Sequence, residues 1–202
     1  MQVLDPKKID KKEVYKILSA SIVPRPIAFV TSLNDDNSVN GAPFSFFNML
    51  TAEPPLISIS FLRKPGGILK DTARNILRKK EFVVHISTVD NFDKINLTAA
   101  LLEPNVSEVD LANLTKVNSS IIKTPGIKEA SIRFEVKLEK HLELGDDYTS
   151  ADLIIGRVVL IHLSPDIYQN SYINFDSLKP LGRLAGNSFM TKDGFKTIIR
   201  PK

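Results

Sequence analysis

The chain has no cysteine and no tryptophan among its 202 residues. The lack of cysteine excludes disulfides, thiolate nucleophiles and cysteine-ligated zinc or iron–sulfur centres. No apolar run approaches the ~18 residues that would span a bilayer. The first residues, MQVLDPKKIDKK, are polar and lack the apolar core of a secretory signal. We therefore expect a cytoplasmic protein with no membrane partner.

Histidine is scarce, and His85, His141 and His162 are scattered without the spacing of metal ligands. His85 and His162 lie in strand patterns, where packed or edge histidines are more common than ligands, so no metal site is predicted. Ser45 has no nucleophile-elbow context, and no GxGxxG motif follows a strand. No catalytic residue can be named. This pattern fits an enzyme whose chemistry belongs to a bound cofactor, and it fits a non-enzymatic binding domain equally well.

The composition is that of an ordinary globular protein, with 43% hydrophobic and 25% charged residues. We expect one domain over residues 1–202. The net charge of +4 favours an anionic ligand such as a phosphate, or reflects solubility alone. No arm dense in lysine and arginine is present, so nucleic acid is not a predicted partner.

The hydrophobic pattern predicts a mainly β fold. Several extended segments separated by turns, without regular βα alternation, favour an antiparallel barrel. A leading helix is expected within residues 1–20, with a capping box at Asp10 and Glu13 and with Val14, Ile17 and Leu18 on one face. Residues 103–126 form an irregular excursion. The predicted strands cover residues 27–33, 56–62, 81–87, 132–139, 153–163 and 195–199, and further helices begin near residues 71, 90 and 109.

The residues that organise the chain are 40–48, NGAPFSFFN. Glycine, alanine, proline and serine stand beside three phenylalanines where a hairpin would return as an alternating strand. Small residues let a ligand approach the backbone closely, and serine and asparagine can hydrogen-bond it. The same composition is typical of a sheet corner packed with aromatics.

A second candidate site lies where a basic glycine-containing loop, residues 63–67, precedes a helix that we expect Asp71 or Thr72 to cap. Free N–H groups and the helix dipole favour an anion at such a junction. A capped surface helix with solvated arginine and lysine would have the same sequence, and the residues alone do not separate the two.

Four blocks, RPIAFVTS, NGAPFSFFN, KDTARNI and PLGRLAGNSF, occur in the order found in the flavin reductase-like, FMN-binding split-barrel family, which the chain resembles over about residues 21–201. The resemblance implies an antiparallel, Greek-key split barrel with a few peripheral helices. It implies FMN, or possibly FAD, bound near the interface of a homodimer, and NAD(P)H as a transient reductant. The tail, residues 178–202, would pack near the site or the dimer partner.

The resemblance also assigns residues to the flavin. Thr31 and Ser32 end the first strand at the flavin, residues 42–48 line the ring system, and the junction holds the phosphate. Phe189 stands where the family commonly has tyrosine. The implied cofactor-binding residues are Thr31, Ser32, Ala42, Pro43, Phe44, Ser45, Phe46, Asn48, Arg63, Lys64, Asp71, Thr72, Asn75 and Arg183.

Three functions are therefore compatible with the sequence. The first is an NAD(P)H:flavin oxidoreductase, or a related electron carrier with an acceptor protein, in which hydride passes to flavin N5. The second is a protein that binds or stores flavin without turnover. The third is a basic β-barrel that binds nucleic acid, which steeply salt-dependent binding would support.

Overall fold

A computed structural model describes residues 1–99, 106–146 and 148–191 of the chain. The helices are α1 (Lys11–Ser21), α2 (Asp71–Lys79), α3 (Val89–Leu97), α4 (Glu108–Leu111) and α5 (Phe175–Leu178), with a 3-10 turn at Pro65–Gly67. The strands are β1 (Arg25–Pro26), β2 (Ala28–Leu33), β3 (Val39–Phe44), β4 (Phe47–Ala52), β5 (Pro55–Leu62), β6 (Glu81–Ile86), β7 (Lys116–Val117), β8 (Gly126–Ile127), β9 (Ile132–Leu144), β10 (Ala151–Leu163), β11 (Tyr168–Gln169), β12 (Tyr172–Ile173), β13 (Gly182–Arg183) and β14 (Phe189–Met190).

Seven antiparallel strands form the main sheet, in the order β3-β2-β6-β9-β10-β5-β4. Strands β3 and β4 lie at opposite edges, yet only Ser45 and Phe46 separate them in the chain. A link this short spans roughly 10 Å at most, so the sheet must curl until its two edges meet. The Phe46 carbonyl accepts a hydrogen bond of 2.9 Å from Ser60 N and ties the link to β5. The result is a barrel that is split at the corner.

Two apolar clusters lie on opposite faces of β2, because its successive side chains alternate between the faces. Val30, Ile59, Phe82 and Ile154 belong to the cluster that also takes in α2. Phe29 belongs to the other, with α3 and the segment around α4. Both faces of β2 are buried, as its nearly continuous apolar sequence predicts.

The predicted strands before residue 190 are all present, with two of them longer than expected: β9 extends to Leu144 and β10 begins at Ala151. On β5, Ile57, Ile59 and Phe61 are buried, as the predicted alternation requires. The predicted strand over residues 195–199 lies outside the described residues.

Helix α1 has the predicted N-cap but differs from its prediction in two other respects. Asp10 caps it by accepting a hydrogen bond of 2.8 Å from Lys12 N. The reciprocal bond from Glu13 that a capping box requires is not among the hydrogen bonds of the described residues. The expected apolar face packs poorly, since Ile17 and Leu18 are 38% and 54% exposed.

The expectation that the charged side chains of residues 132–139 form a solvated face is wrong for Glu135, which is fully buried. Its carboxylate accepts hydrogen bonds from the backbone N–H groups of Ser120, Ile121 and Ile122 and contacts His162 Nε2 at 2.7 Å. Burial raises the Glu135 pKa, but these bonds outweigh it and hold the pKa below its ordinary value. Glu135 thus fastens the 106–127 excursion to the sheet.

Candidate functional site

The corner at Ser45 and Phe46 stands between two clefts. Of the three phenylalanines around it, Phe44 and Phe47 pack in the barrel cluster, and Phe46 does not. The Phe44 ring packs edge-on against Phe61 inside the barrel, with centroids 4.5 Å apart. The Phe46 ring turns outward to Tyr15 of α1, at 6.5 Å. The corner therefore joins the core to the leading helix.

The first cleft, called here the serine cleft, has a volume of about 780 Å³ and lies between α1, the corner and β5. Ser45, Asn48, Ser58 and Ser60 line it. Leu18 and other residues of α1 line it as well, and most of the lining surface is apolar. Apolar walls with a few polar groups are typical of sites for aromatic ligands.

The second cleft, called the tail cleft, has a volume of about 690 Å³ and lies between α1, the corner and residues 183–189. Pro43, Phe44 and Ser45 border it on the barrel side. The tail is less loop-like than expected, because β13 and β14 form a small antiparallel sheet with β1. This sheet holds the tail beside the corner.

Arg25 borders both clefts, although its sequence position between two prolines suggested no role for it. Its side chain is buried, and its terminal nitrogens donate to the carbonyls of Ser19, Ile22 and Leu184 at 2.5, 2.6 and 2.9 Å. The guanidinium also lies 5.7 Å from the centre of the Phe46 ring. Arg25 thereby ties the end of α1 to the tail.

The basic loop and the N-terminus of α2 form a separate cationic surface. Lys70, not Asp71 or Thr72, is the N-cap, and it forms no side-chain capping bond. The first N–H groups of α2 therefore lack a side-chain partner from the cap. Lys64 Nζ lies 2.8 Å from the Asp71 carboxylate, which also contacts Arg74 at 2.6 Å.

Two lysines meet at this helix end. Burial, and then repulsion from Lys64, lower the pKa of the Lys70 ammonium. Burial raises the Asp71 pKa, but Lys64 and Arg74 outweigh it and keep that carboxyl ionised below its usual range. Two like charges beside free N–H groups are suited to an anion with more than one negative charge.

Arg63 lies next to these lysines but is already engaged. It forms a two-pronged pair with Asp152, both bonds 2.8 Å long, and the Asp152 side chain is fully buried. Its remaining nitrogen donates to Gly67 O at 3.3 Å. Arg63 therefore holds the loop in place instead of presenting a free guanidinium.

A buried polar network lies behind the junction. The Asn40 amide donates to Ser32 Oγ and Thr72 Oγ1 at 3.2 and 2.9 Å. The Asn75 amide donates to Ser32 Oγ and Asn34 Oδ1 at 3.2 and 2.7 Å. Three of the implied flavin ligands, Ser32, Thr72 and Asn75, thus anchor α2 to β2 and β3.

Gly41 and Thr31 also face protein in this structure. A Cβ atom on Gly41 would approach Phe29 and Val109 to 2.7 Å each. The absence of a side chain at Gly41 therefore leaves the space that these two side chains occupy. Glu108 accepts a hydrogen bond of 3.2 Å from Gly41 N, and burial raises its pKa. Thr31 Oγ1 donates to Pro125 O at 2.7 Å.

Apart from Thr31 and Ala42, the implied ligands fall into three places. Pro43, Phe44, Ser45, Phe46 and Asn48 line the two clefts, and Arg183 lines the tail cleft. The junction holds Arg63, Lys64 and Asp71, and the network behind it holds Ser32, Thr72 and Asn75. Ala42 is half-buried on β3 and packs against the barrel cluster.

Sequence reasoning missed Arg25, Lys70, Glu108 and Asp152. Lys70 stands inside the quoted block KDTARNI, which was a usable signal. Asp152 offered none, because its partner Arg63 is 89 residues away.

His141, Glu143 and Asp152 place one ligand atom each within 4.8 Å of one another, the only such group among the described residues. Arg63 occupies both Asp152 oxygens and lies 3.4 Å from Glu143. A metal ion would have to displace a guanidinium from a buried carboxylate. The group is thus an ion-pair network in this structure.

Comparison with protein families matches residues 20–180 to the flavin reductase like domain. The chain belongs to this flavin reductase-like family. An uncharacterised Bacillus subtilis (strain 168) protein, YwrF, is 47% identical over 205 residues and covers all of both chains. An uncharacterised Aquifex aeolicus (strain VF5) protein is 37% identical, covering 93% of this chain and 94% of its own.

Solved structures agree with this family. Nitrilotriacetate monooxygenase component B from Bacillus cereus superposes with a TM-score of 0.95 at 46% identity, covering 98% of each chain. The Pseudomonas fluorescens 2-nitrobenzoate 2-nitroreductase NbaA gives 0.89 at 26% identity, covering 99% of this chain and 96% of its own. A split-barrel protein from Shewanella frigidimarina NCIMB 400 gives 0.82 at 16% identity, with 96% coverage of both, and shows the fold alone. The predicted split-barrel family and fold are confirmed.

No helix among the described residues of this flavin reductase-like protein is long and apolar enough to cross a membrane.

Proposed function

We propose that this protein binds FMN and acts as an NAD(P)H-dependent flavin oxidoreductase. The observation that carries the proposal is the uncapped N-terminus of α2 with Lys64 and Lys70 beside it. Strand β5 leads from the serine cleft directly into this junction. Lys64 follows Ser60 by four positions, roughly 13 Å of extended chain, so the cleft and the junction lie at the two ends of one short segment.

The chain's own residues would bind and orient the cofactor. Lys64 and Lys70 would neutralise the phosphate, while the serine hydroxyls and the corner backbone would hydrogen-bond the ring system. Arg63 and the Ser32 network would hold the loop and helix in the geometry that this requires. Bound flavin would supply acceptance of a hydride at N5, which no side chain can provide.

The proposal is tested by the visible absorption spectrum of the purified protein, before and after anaerobic NADH or NADPH. We expect flavin bands that bleach with a nicotinamide. Bands that persist would favour the second candidate, a protein that binds flavin without turnover. A colourless protein that also fails to take up added FMN would contradict both.

Replacing Lys64 with alanine should raise the Kd for FMN at least about tenfold and change that for riboflavin less than about twofold. Only FMN presents a charged phosphate, and one charge-assisted bond accounts for a tenfold change. Fluorescence titration of both flavins measures this. Lys79→Ala, at the other end of α2, is the control and should leave both constants unchanged. Equal losses for FMN and riboflavin would place the phosphate elsewhere.

A homodimer is proposed to close the serine cleft. An apolar groove of about 520 Å³ lies beside that cleft and shares Pro26, Phe47 and Asn48 with it. Met49 and Ile161 line the groove and are 64% and 55% exposed. A second copy is the proposed cover, because the cleft and the groove form one continuous apolar surface.

Met49→Asp should convert a dimer to a monomer in sedimentation velocity, since it would bury a carboxylate in an apolar interface. Leu111→Asp adds the same charge at an exposed leucine outside the groove and should leave the dimer intact. A monomeric wild type, or a dimeric Met49 variant, would contradict the interface.

The recipient of the electrons is proposed to be a partner protein. The similarity to component B of a monooxygenase supports an oxygenase in that role. A cytoplasmic location and the absence of a nucleic-acid partner stay predictions from composition.

A further inference from the structure

We propose that the tail cleft binds the adenosine part of the nicotinamide cofactor and that Lys12, Lys16 and Arg183 select NADPH over NADH by binding its 2′-phosphate. This inference rests on the proposed reductase function and adds to it the identity of the reductant.

The charge around the tail cleft is of one sign. Lys12, Lys16, Arg25 and Arg183 line it, and none of the described lining residues is acidic. No carboxylate of the described residues forms an ion pair with any of the four. Cations that share one cleft without a counter-charge repel one another, so a phosphate dianion placed among them is stabilised.

The two lysines stand where one ligand group can reach both. Lys12 and Lys16 are four residues apart on α1, which puts them one above the other on one helix face. Tyr15 lies beside them on the same cleft wall. Their ammonium groups are on long flexible stems, so they suit a terminal phosphate monoester better than a fixed planar group.

The far wall offers a stacking surface. The Arg183 guanidinium lies over the Phe189 ring at 4.5 Å, and that ring lies 4.5 Å from Phe92. A planar base can pack on such a layer of rings and guanidinium. The cleft volume of about 690 Å³ is within the range of sites that hold ligands of this size.

Arg25 borders the cleft as a buried cation. The residue is 8% exposed, and its Nε is buried without a hydrogen-bond partner among the described residues. Arg25 also stands, with Tyr15, Ser19 and Ser45, on the wall shared with the serine cleft. A nicotinamide extending from the tail cleft would therefore meet a ring held in the serine cleft.

The test is calorimetric titration of NADP⁺, NAD⁺ and adenosine 2′,5′-bisphosphate into the full-length protein, with and without added FMN. None of these three ligands can donate a hydride, so no turnover occurs during the titration. The variant is Lys12→Gln/Lys16→Gln. Its matched control is Lys137→Gln/Lys140→Gln, which removes two charges from exposed positions of β9.

We expect NADP⁺ to bind wild type at least tenfold more tightly than NAD⁺. The α1 variant should lose at least tenfold for NADP⁺ and for the bisphosphate and less than threefold for NAD⁺, and the β9 control should match wild type. The inference would be overturned if wild type bound NADP⁺ and NAD⁺ with equal affinity. It would also be overturned if the α1 variant kept the wild-type preference for NADP⁺ or lost affinity equally for both nucleotides. A protein that binds and reduces FMN yet shows any of these results loses only this inference. A protein that selects NADP⁺ but takes up no FMN contradicts the reductase function instead.

Discussion

Asp152→Ala is expected to lower the free energy of unfolding by about 3–5 kcal/mol, the cost of leaving one member of a buried ion pair without its partner. The Asp152 side chain is fully buried and the Arg63 side chain is 15% exposed, so solvent replaces the lost bonds poorly, and Arg63 keeps only Glu143, at 3.4 Å, as an ion-pair partner. Urea unfolding followed by circular dichroism measures the change.

The matched control is Glu139→Ala. Glu139 forms the same two-pronged pair with Arg157, with bonds of 2.8 Å, but both side chains are more than a third exposed. Exposed pairs contribute about 0–1 kcal/mol, so this variant should unfold close to wild type. Similar losses in the free energy of unfolding for the two variants would show that the buried Arg63–Asp152 pair stabilises the fold no more than the exposed pair does.

Acidification is expected to destabilise the protein by about 2 kcal/mol between pH 6.5 and pH 4.5 through His85 alone. His85 is fully buried, its Nδ1 lies 3.0 Å from Phe29 O, and its Nε2 accepts a hydrogen bond of 3.0 Å from Ile127 N. Burial lowers its pKa from 6.5 to about 3, because a proton on Nε2 would be desolvated and would remove that acceptor.

The direction of this change in stability follows from proton uptake. Below pH 6.5 the unfolded chain takes up a proton at His85 and the folded chain does not, so stability falls until the pH reaches about 3. Carboxylates with lowered pKa, such as Asp152 and Glu135, add to the loss mainly below pH 4.5. His85→Gln keeps one donor and one acceptor and should show a shallower decline. A wild-type stability that is constant from pH 6.5 to 4.5 would contradict a buried neutral His85.

The strands were predictable because their signal is local. The alternation in residues 56–62 and the β-branched run in residues 27–33 each specify a strand without reference to the rest of the chain. The order of the strands depends on which distant segments pair, and here the resemblance to a family supplied what the pattern could not.

The candidate site was predictable only where its chemistry lies in one segment. The basic loop and the following helix are contiguous, so their juxtaposition could be expected. Asp152 and Glu135 look like solvated strand charges in sequence, because the groups that bind them lie 89 and 13–15 residues away. The same limit applies to Arg25, whose place between two clefts depends on the fold of the tail.

The position of the corner at the seam of the barrel has a consequence for how such proteins diverge. Both sheet edges end there, and an edge strand presents backbone N–H and C=O groups that no neighbouring strand uses. Recognition through these groups would not depend on side-chain identity, so a ligand bound there, as proposed, could be kept while most residues change. The Shewanella frigidimarina structure shows that the fold itself is kept at 16% identity.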